Sequence, residues 1–439
     1  MSPIKRFLVI ILFIGLVKPA FAQNVPVTLT RAIKAKVVDS LSLLLIKRYI
    51  YLDTALKMSD RIKTRLKTGA YDTINKPDDF AQILNSDLGS VYKDLHMRIY
   101  YDPGFEKALR TRSYMESVSR RMQFLQMAKQ RNYGFREARI MDGNIGYISI
   151  TQFYDVNEQS EAVADNLFSF LKNANALIID VRDNPGGEPD MVKYIISHFF
   201  KARTHLNDFC DRHSITNAYW TDQLSDSSAF SAMPLYILVN EHTYSAAEEF
   251  AYDLQSLHRA TIIGKTTGGA AHWVTSSSLG NGFIGNIPFR KAVNPYTHTN
   301  WEKVGVKPDV NGSDENALDL ALLTAYKNII STSKYSFVTD PAKWHLALLD
   351  AKLHHFELNT KRLQSYTGNY SGRLITLKNG LLYFTDANGY HIGLLPISAT
   401  TFTFTNNDRH IEFTAAASGK IIGLAFIYPD GRVEKFNRR

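Results

Sequence analysis

Cysteine is almost missing from this sequence: one thiol, Cys210, in 439 residues. A single thiol excludes an internal disulfide, and no Cys/His spacing matches a zinc site, so no bound metal is expected. Cys210 reads as a non-bridging thiol in a loop. A chain this long can bury a core large enough to do without either device. After Gln23 no apolar run is long enough to cross a bilayer as a helix, which excludes a permanent membrane span there. Internal repeats and low-complexity segments are also lacking, and length points to about two or three domains.

What is present begins with an export pattern. Lys5 and Arg6 precede the apolar run from Phe7 to Val17, and Ala20-Phe21-Ala22 offers a small-x-small cleavage site. Residues 1–22 therefore read as a signal peptide, and the mature chain as periplasmic or secreted; an uncleaved N-terminal anchor is the other reading. The formal charge of +9 falls once Lys5, Arg6 and Lys18 leave with the leader. The remaining Lys and Arg are scattered except between Arg110 and Arg136. There Met115, Val118, Met122 and Leu125 recur at helical spacing, so the basic residues read as that helix's solvated face. No nucleic-acid partner is expected.

From Val37 to Leu88 the pattern is helical, with a third helix opening at Pro77-Asp78-Asp79. Residues 23–130 are read as an N-terminal helical cap domain. His96, in Lys93-Asp94-Leu95-His96, precedes a β-like segment. Next come a turn followed by a strand over Gly143–Ile150, a helix over Glu158–Leu171, and a buried strand over Ala176–Val181. The last runs into Asp183-Asn184-Pro185-Gly186-Gly187, followed by a helix from Pro189. After a polar loop, Leu235–Val239 is a strand, then Tyr244-Ser245 and a helix from Ala246, then Thr261–Gly264. This alternation argues an α/β core over residues 131–345. Residues 346–439 turn β-rich, with Asn379-Gly380, Asn388-Gly389, Ser418-Gly419 and Asp430-Gly431 as turns. They read as a small antiparallel sheet or barrel of roughly eight strands.

Ser245 stands where a buried strand hands over to a helix. Its hydroxyl suits a nucleophile, because a helix N-terminus stabilises a developing alkoxide, and it equally suits a plain N-cap. Acyl transfer also needs a base and donors aimed at the oxyanion. Backbone amides of Ala246 and of the turn carrying Gly186 and Gly187 are the candidate donors. The G-x-S-x-G elbow is not matched, since Thr243 and Ala247 replace both glycines. His272, in the glycine-rich loop after Gly268, and His242 are loop histidines near the serine.

Four motifs together resemble the tail-specific (C-terminal-processing) serine peptidases. They are Asp180–Gly187, Tyr244–Phe250, Gly264–Gly269 and Gly305–Val310, and the likeness spans roughly residues 35 to 312. More narrowly, the chain is similar to the branch containing interphotoreceptor retinoid-binding protein and the tricorn protease core. The resemblance implies a crotonase/ClpP-like α/β core and a serine peptidase acting on peptides or proteins, with no cofactor. Members with a Ser/Lys dyad carry the lysine where this chain has Ala270; Lys265 occupies another position. The tricorn-like arrangement instead implies His96 as base and Glu302 as its orienter, with Ser245 as nucleophile. Leu95 stands where that branch has a serine, so coupling of Glu302 to His96 needs a water or another side chain. His272 is the rival base and a candidate substrate contact. Asp180 and Arg182 are expected to brace the oxyanion loop.

The segment between Tyr101 and Asn132 is too short for an inserted PDZ domain, and homo-oligomerisation is left open. The retinoid-binding relatives imply a second reading, a non-catalytic binder of apolar, lipid-like ligands. A third, a crotonase-type acyl-CoA enzyme, conflicts with export, since coenzyme A is a cytoplasmic cofactor.

Overall fold

In the computed structural model, residues 29–439 are described apart from 112–113, 225–226, 355, 386–387 and 406–408. The signal peptide read over residues 1–22 lies outside the described residues. Thr30 opens the first helix: its hydroxyl accepts from Ile33 N at 3.3 Å and caps α1 (Arg31–Arg48). Next come α2 (Leu52–Lys67) and α3 (Pro77–Val91), the latter with proline and two acids in its first turn. Their apolar stripes bury Val37, Leu41, Met58, Ile62, Phe80 and Leu84 in one cluster. Three short helices cannot close that cluster alone. It is completed by Ile99 of β1 (Arg98–Tyr101) and by Leu279, Phe283 and Ile287 from strands far downstream.

Two helices follow, α4 (Pro103–Thr111) and α5 (Tyr114–Gln130). In α5 the expected inward stripe is partly turned out, with Val118 38% and Met122 54% exposed.

The α/β alternation is built from β2 (Phe135–Met141), β3 (Ile145–Ile150), α6 (Glu158–Leu171), β4 (Ala176–Asp180) and α7 (Pro189–Ser197). It continues, beyond β5 (His205–Cys210), β6 (Ile215–Trp220) and α8 (Ser227–Phe230), with β7 (Leu235–Val239), α9 (Ala246–Ser256) and β8 (Thr261–Gly264). After the hairpin β9 (His272–Gly280) and β10 (Phe283–Val293) comes β11 (Val310–Asn311), then α10 (Ala317–Thr332) and α11 (Ser336–His354). One sheet has the order β11-β8-β7-β4-β3-β2, parallel except where β2 pairs antiparallel with β3. Every residue of β4 and β7 is buried, as a parallel sheet covered on both faces requires. Leu177, Ile179, Leu235 and Ile237 face α6, α7 and α9, while Ile178, Tyr236 and Leu238 face α10 and α11.

A second sheet escaped the sequence reading. β1, β10, β5 and β6 lie side by side, with β9 on β10, and every pairing is antiparallel. The stretch read as a polar loop supplies β5 and β6; the exposed and half-exposed residues of β6 leave no apolar alternation to find. Cys210 therefore sits on a strand, opposite Lys291 and Ile215, rather than in a loop.

The C-terminal sheet has eight strands in sequence order, β12 (Gly368–Tyr370) to β19 (Val433–Asn437), preceded by α12 (Thr360–Tyr366). The division expected between residues 345 and 346 falls inside α11, whose Ala342, Leu346 and Leu349 pack on the core sheet. The same helix also meets the C-terminal sheet, where Trp344 stacks on His410 with ring centroids 3.7 Å apart. Among the described residues, no helix is long and apolar enough to cross a membrane.

Candidate functional site

β4, β7 and β8 run parallel, so the loops that follow them emerge on one edge of the sheet. In open α/β sheets a crevice forms outside those strand ends. Here the three loops and the segment before β1 line a cavity of about 450 Å³ that contains Ser245, His96, Gly187, Ala246 and His272.

Ser245 joins the β7 turn to α9 with φ 56° and ψ −120°, a region that residues with a side chain rarely adopt. A buried carboxylate holds it there. Glu248, 0% exposed, accepts from Ser245 N at 2.9 Å, Thr267 Oγ1 at 2.6 Å, Gly269 N at 2.6 Å and Ala270 N at 2.8 Å. One side chain thus ties the serine turn to the glycine-rich loop. Burial pushes its pKa up to about 7, against four donors that favour the ionised form.

The double-glycine turn is set by Asn184. Its Nδ2 donates to Ile150 O at 3.1 Å, its Oδ1 accepts from Gly186 N at 2.8 Å, and its own carbonyl accepts from Tyr244 N at 3.0 Å. The Gly186 amide is therefore spent on the turn, which corrects its expected role as an oxyanion donor. Gly187 N and Ala246 N have no protein acceptor among the described residues. Gly186 instead permits close approach: a Cβ there would lie 2.7 Å from Tyr244 O, 2.8 Å from Ser245 Cβ and 2.9 Å from Ala246 N. Asp180 and Arg182 pair with each other at 2.6 Å and reach Asp314 O, so they brace the neighbouring loop, not the glycines directly.

His96 precedes β1, whose Ile99 is clamped by Asn85 through two 2.7 Å hydrogen bonds. Its Nε2 lies 3.1 Å from Ser245 Oγ. Burial lowers its pKa to about 4, with His272 acting in the same direction and Asp94 opposing, so the ring is neutral near pH 7. Buried Nδ1 has no protein partner among the described residues, and neither has Glu302 Oε1.

Among the described residues, neither His272 nor Glu302 hydrogen-bonds Ser245 or His96. His272 begins β9, buried, and its Nδ1 donates to Asp94 Oδ2 at 2.8 Å, with Glu302 Oε2 3.7 Å away. Glu302 Oε2 accepts from Ala271 N at 2.8 Å. Asp94 is the shared node: it also accepts from Tyr49 O–H at 3.0 Å and, through Oδ1, from His96 N at 3.1 Å. Asp94, His272 and Glu302 each present one ligand atom, all within 4.8 Å of one another, the one such group among the described residues. Lys265 turns away to Asp314 at 2.7 Å and Glu241 at 3.2 Å. His242 is a turn residue whose N–H donates to Asn240 Oδ1 at 2.9 Å.

Three residues of this network were missed in the sequence. Ser245-Ala246-Ala247-Glu248 has the S-x-x-E spacing of a capping box, which would have singled out Glu248. Asn184 before Pro-Gly-Gly is a turn-forming Asn whose side chain bonds the backbone two residues on. Asp94 gave no local signal, since its partners Tyr49 and His272 are remote in sequence.

Residues 144–311 match the model of peptidase family S41. Carboxyl-terminal-processing peptidase 2, chloroplastic, of Arabidopsis thaliana is 31% identical over 38% of this chain and 31% of its own length. Carboxy-terminal processing protease CtpB of Bacillus subtilis is 26% identical over 40% of this chain and 35% of its own length. The chain thus spans about a third of the length of these curated relatives. The crystal structure of the tricorn protease aligns with 16% identity and a TM-score of 0.40, covering 65% of this chain and 35% of that one. The matched segment holds the double-glycine turn, Ser245 and the glycine-rich loop, and over that segment the chain is similar to peptidase family S41.

Proposed function

We propose that this chain is an exported serine peptidase that hydrolyses peptide bonds through an acyl-enzyme on Ser245. Ser245 Oγ attacks the peptide carbonyl carbon as His96 Nε2 takes its proton. The amides of Gly187 and Ala246 donate to the oxyanion, and His96 then returns the proton to the leaving amine. Water, deprotonated by the same nitrogen, releases the acyl group and restores the serine. Asp94 holds the His96 backbone. Glu302 acts on the ring indirectly, through the contacts with Ala271 and His272 that also hold Asp94 in place. His272 braces Asp94 and lines the substrate cavity.

The observation that carries this reading is the 3.1 Å contact between His96 Nε2 and Ser245 Oγ beside two uncommitted amides. It favours an enzyme over an apolar-ligand binder, which needs no paired imidazole and hydroxyl. The strand–helix alternation supports a crotonase/ClpP-like core with the N-terminal helices as a cap over residues 23–130 and a C-terminal accessory domain. The residue 1–22 pattern supports export, and the His96/Glu302 set supports the tricorn-like branch. Incubation of the purified chain with mixed peptides should give discrete fragments by mass spectrometry. Intact peptides together with tight binding of a fatty acid or retinoid would favour the carrier.

Gly186→Ala provides a test of the oxyanion arrangement. Its φ of 101° and the contacts a Cβ would make push the turn away from Ser245. Loss of a single oxyanion donor lowers kcat roughly 10²–10³-fold, and a fall of that order is expected with KM little changed. An unaltered kcat would remove this turn from the site.

A further inference from the structure

Beyond Ser245 the cavity continues into a recess walled by Phe209, Trp273 and Trp301. The Phe209 and Trp273 rings stack with centroids 4.5 Å apart, and the Trp301 indole N–H is fixed on Ala270 O at 2.9 Å. One member of this lining does not fit an apolar recess. Glu249, one turn beyond Ser245 on α9, contributes to the wall although it is 3% exposed. Behind it lies Asp253, 0% exposed, whose Oδ1 accepts from Asn207 Nδ2 at 2.6 Å and Asn294 Nδ2 at 3.3 Å. Asn207 also lies beside Glu249 and opposes the effect of burial on its carboxyl. No Lys or Arg lines the cavity among the described residues, and its other acid is Glu188.

A carboxyl buried without a cation is costly, and two in succession on one helix are not explained by stability. Burial pushes the Glu249 carboxyl well above the usual carboxylate range, and nearby Asp190 adds to the shift, so the uncharged acid is favoured there. A cation entering the recess would favour release of that proton to solvent and form an ion pair. The aromatic faces would meanwhile cover an aliphatic stem and attract the charge. We propose that Glu249 selects peptides carrying a lysine or arginine next to the scissile bond, with the basic side chain seated between Phe209, Trp273 and Trp301. This rests on the peptidase reading of Ser245.

The test uses the full mature chain and peptides that differ at one position beside the cleaved bond: Arg, Lys, Leu, Phe or Glu. The wild type is expected to give kcat/KM for Arg and Lys roughly 10-fold or more above Leu and Phe. Glu249→Gln is expected to lower the basic peptides by about 10-fold or more and raise the apolar ones, reversing the order. A wild-type preference for Leu or Phe, or an Arg-to-Leu ratio unmoved by Glu249→Gln, overturns the proposal. The wild-type ratio decides the matter even where that variant fails to fold. Binding of the same peptides to Ser245→Ala separates the two readings. Preferential binding of the Arg peptide by Ser245→Ala, together with no cleavage by the wild type, would keep the recess and reject the peptidase. Equal binding of Arg and Leu peptides would reject the recess.

Discussion

Ser245→Ala is expected to lower kcat for peptide hydrolysis by roughly 10⁴–10⁶-fold while the protein stays folded. The hydroxyl's hydrogen-bond partner is the His96 ring, so its loss removes little packing. The turn itself is held by Glu248 through the backbone N–H of residue 245, which alanine retains. The positive φ is as awkward for alanine as for serine, so the substitution adds no backbone strain. A serine serving only as a helix cap would give the opposite pattern, with turnover unchanged and a stability loss of about 1 kcal/mol. Kinetics and thermal melting on one preparation therefore separate nucleophile from cap.

His96→Ala is expected to lower kcat by roughly 10³-fold or more, and the wild-type pH profile should carry the signature of the same ring. A base works only when unprotonated. An ordinary histidine, titrating near 6.5, would lose activity below about pH 6.5. Because burial lowers His96 to about 4, its Nε2 remains free to accept a proton well below neutrality. The acidic limb of kcat/KM is thus expected near pH 4. A limb near 6.5, or an unchanged rate in His96→Ala, would move the base elsewhere, with His272 the first candidate.

The parallel sheet was legible in the sequence because β4 and β7 are buried on both faces and read as short continuous apolar runs. The C-terminal meander was legible through its Asn-Gly and Asp-Gly turns. The antiparallel sheet was not, since β6 is half-solvated and β1 finds its partner β10 nearly two hundred positions away. Among the site residues, Ser245, Gly187 and Ala246 could be read locally, as they belong to the strand-end turns themselves. Gly186 could not be told from Gly187, because only the Asn184 side chain decides which amide is spent. Glu302 was assigned a partner by resemblance. Its contacts with Ala271 N and His272 depend on how the β9–β10 hairpin returns to the core, which no local pattern encodes.

Reaction of the chain with a fluorophosphonate, followed by peptide mapping, measures the central claim most directly. The account predicts one phosphonyl adduct, on Ser245, formed by the folded wild type, lost on heat unfolding and greatly slowed in His96→Ala. A preparation that hydrolyses peptides yet carries its adduct on another residue, or carries none, would contradict it.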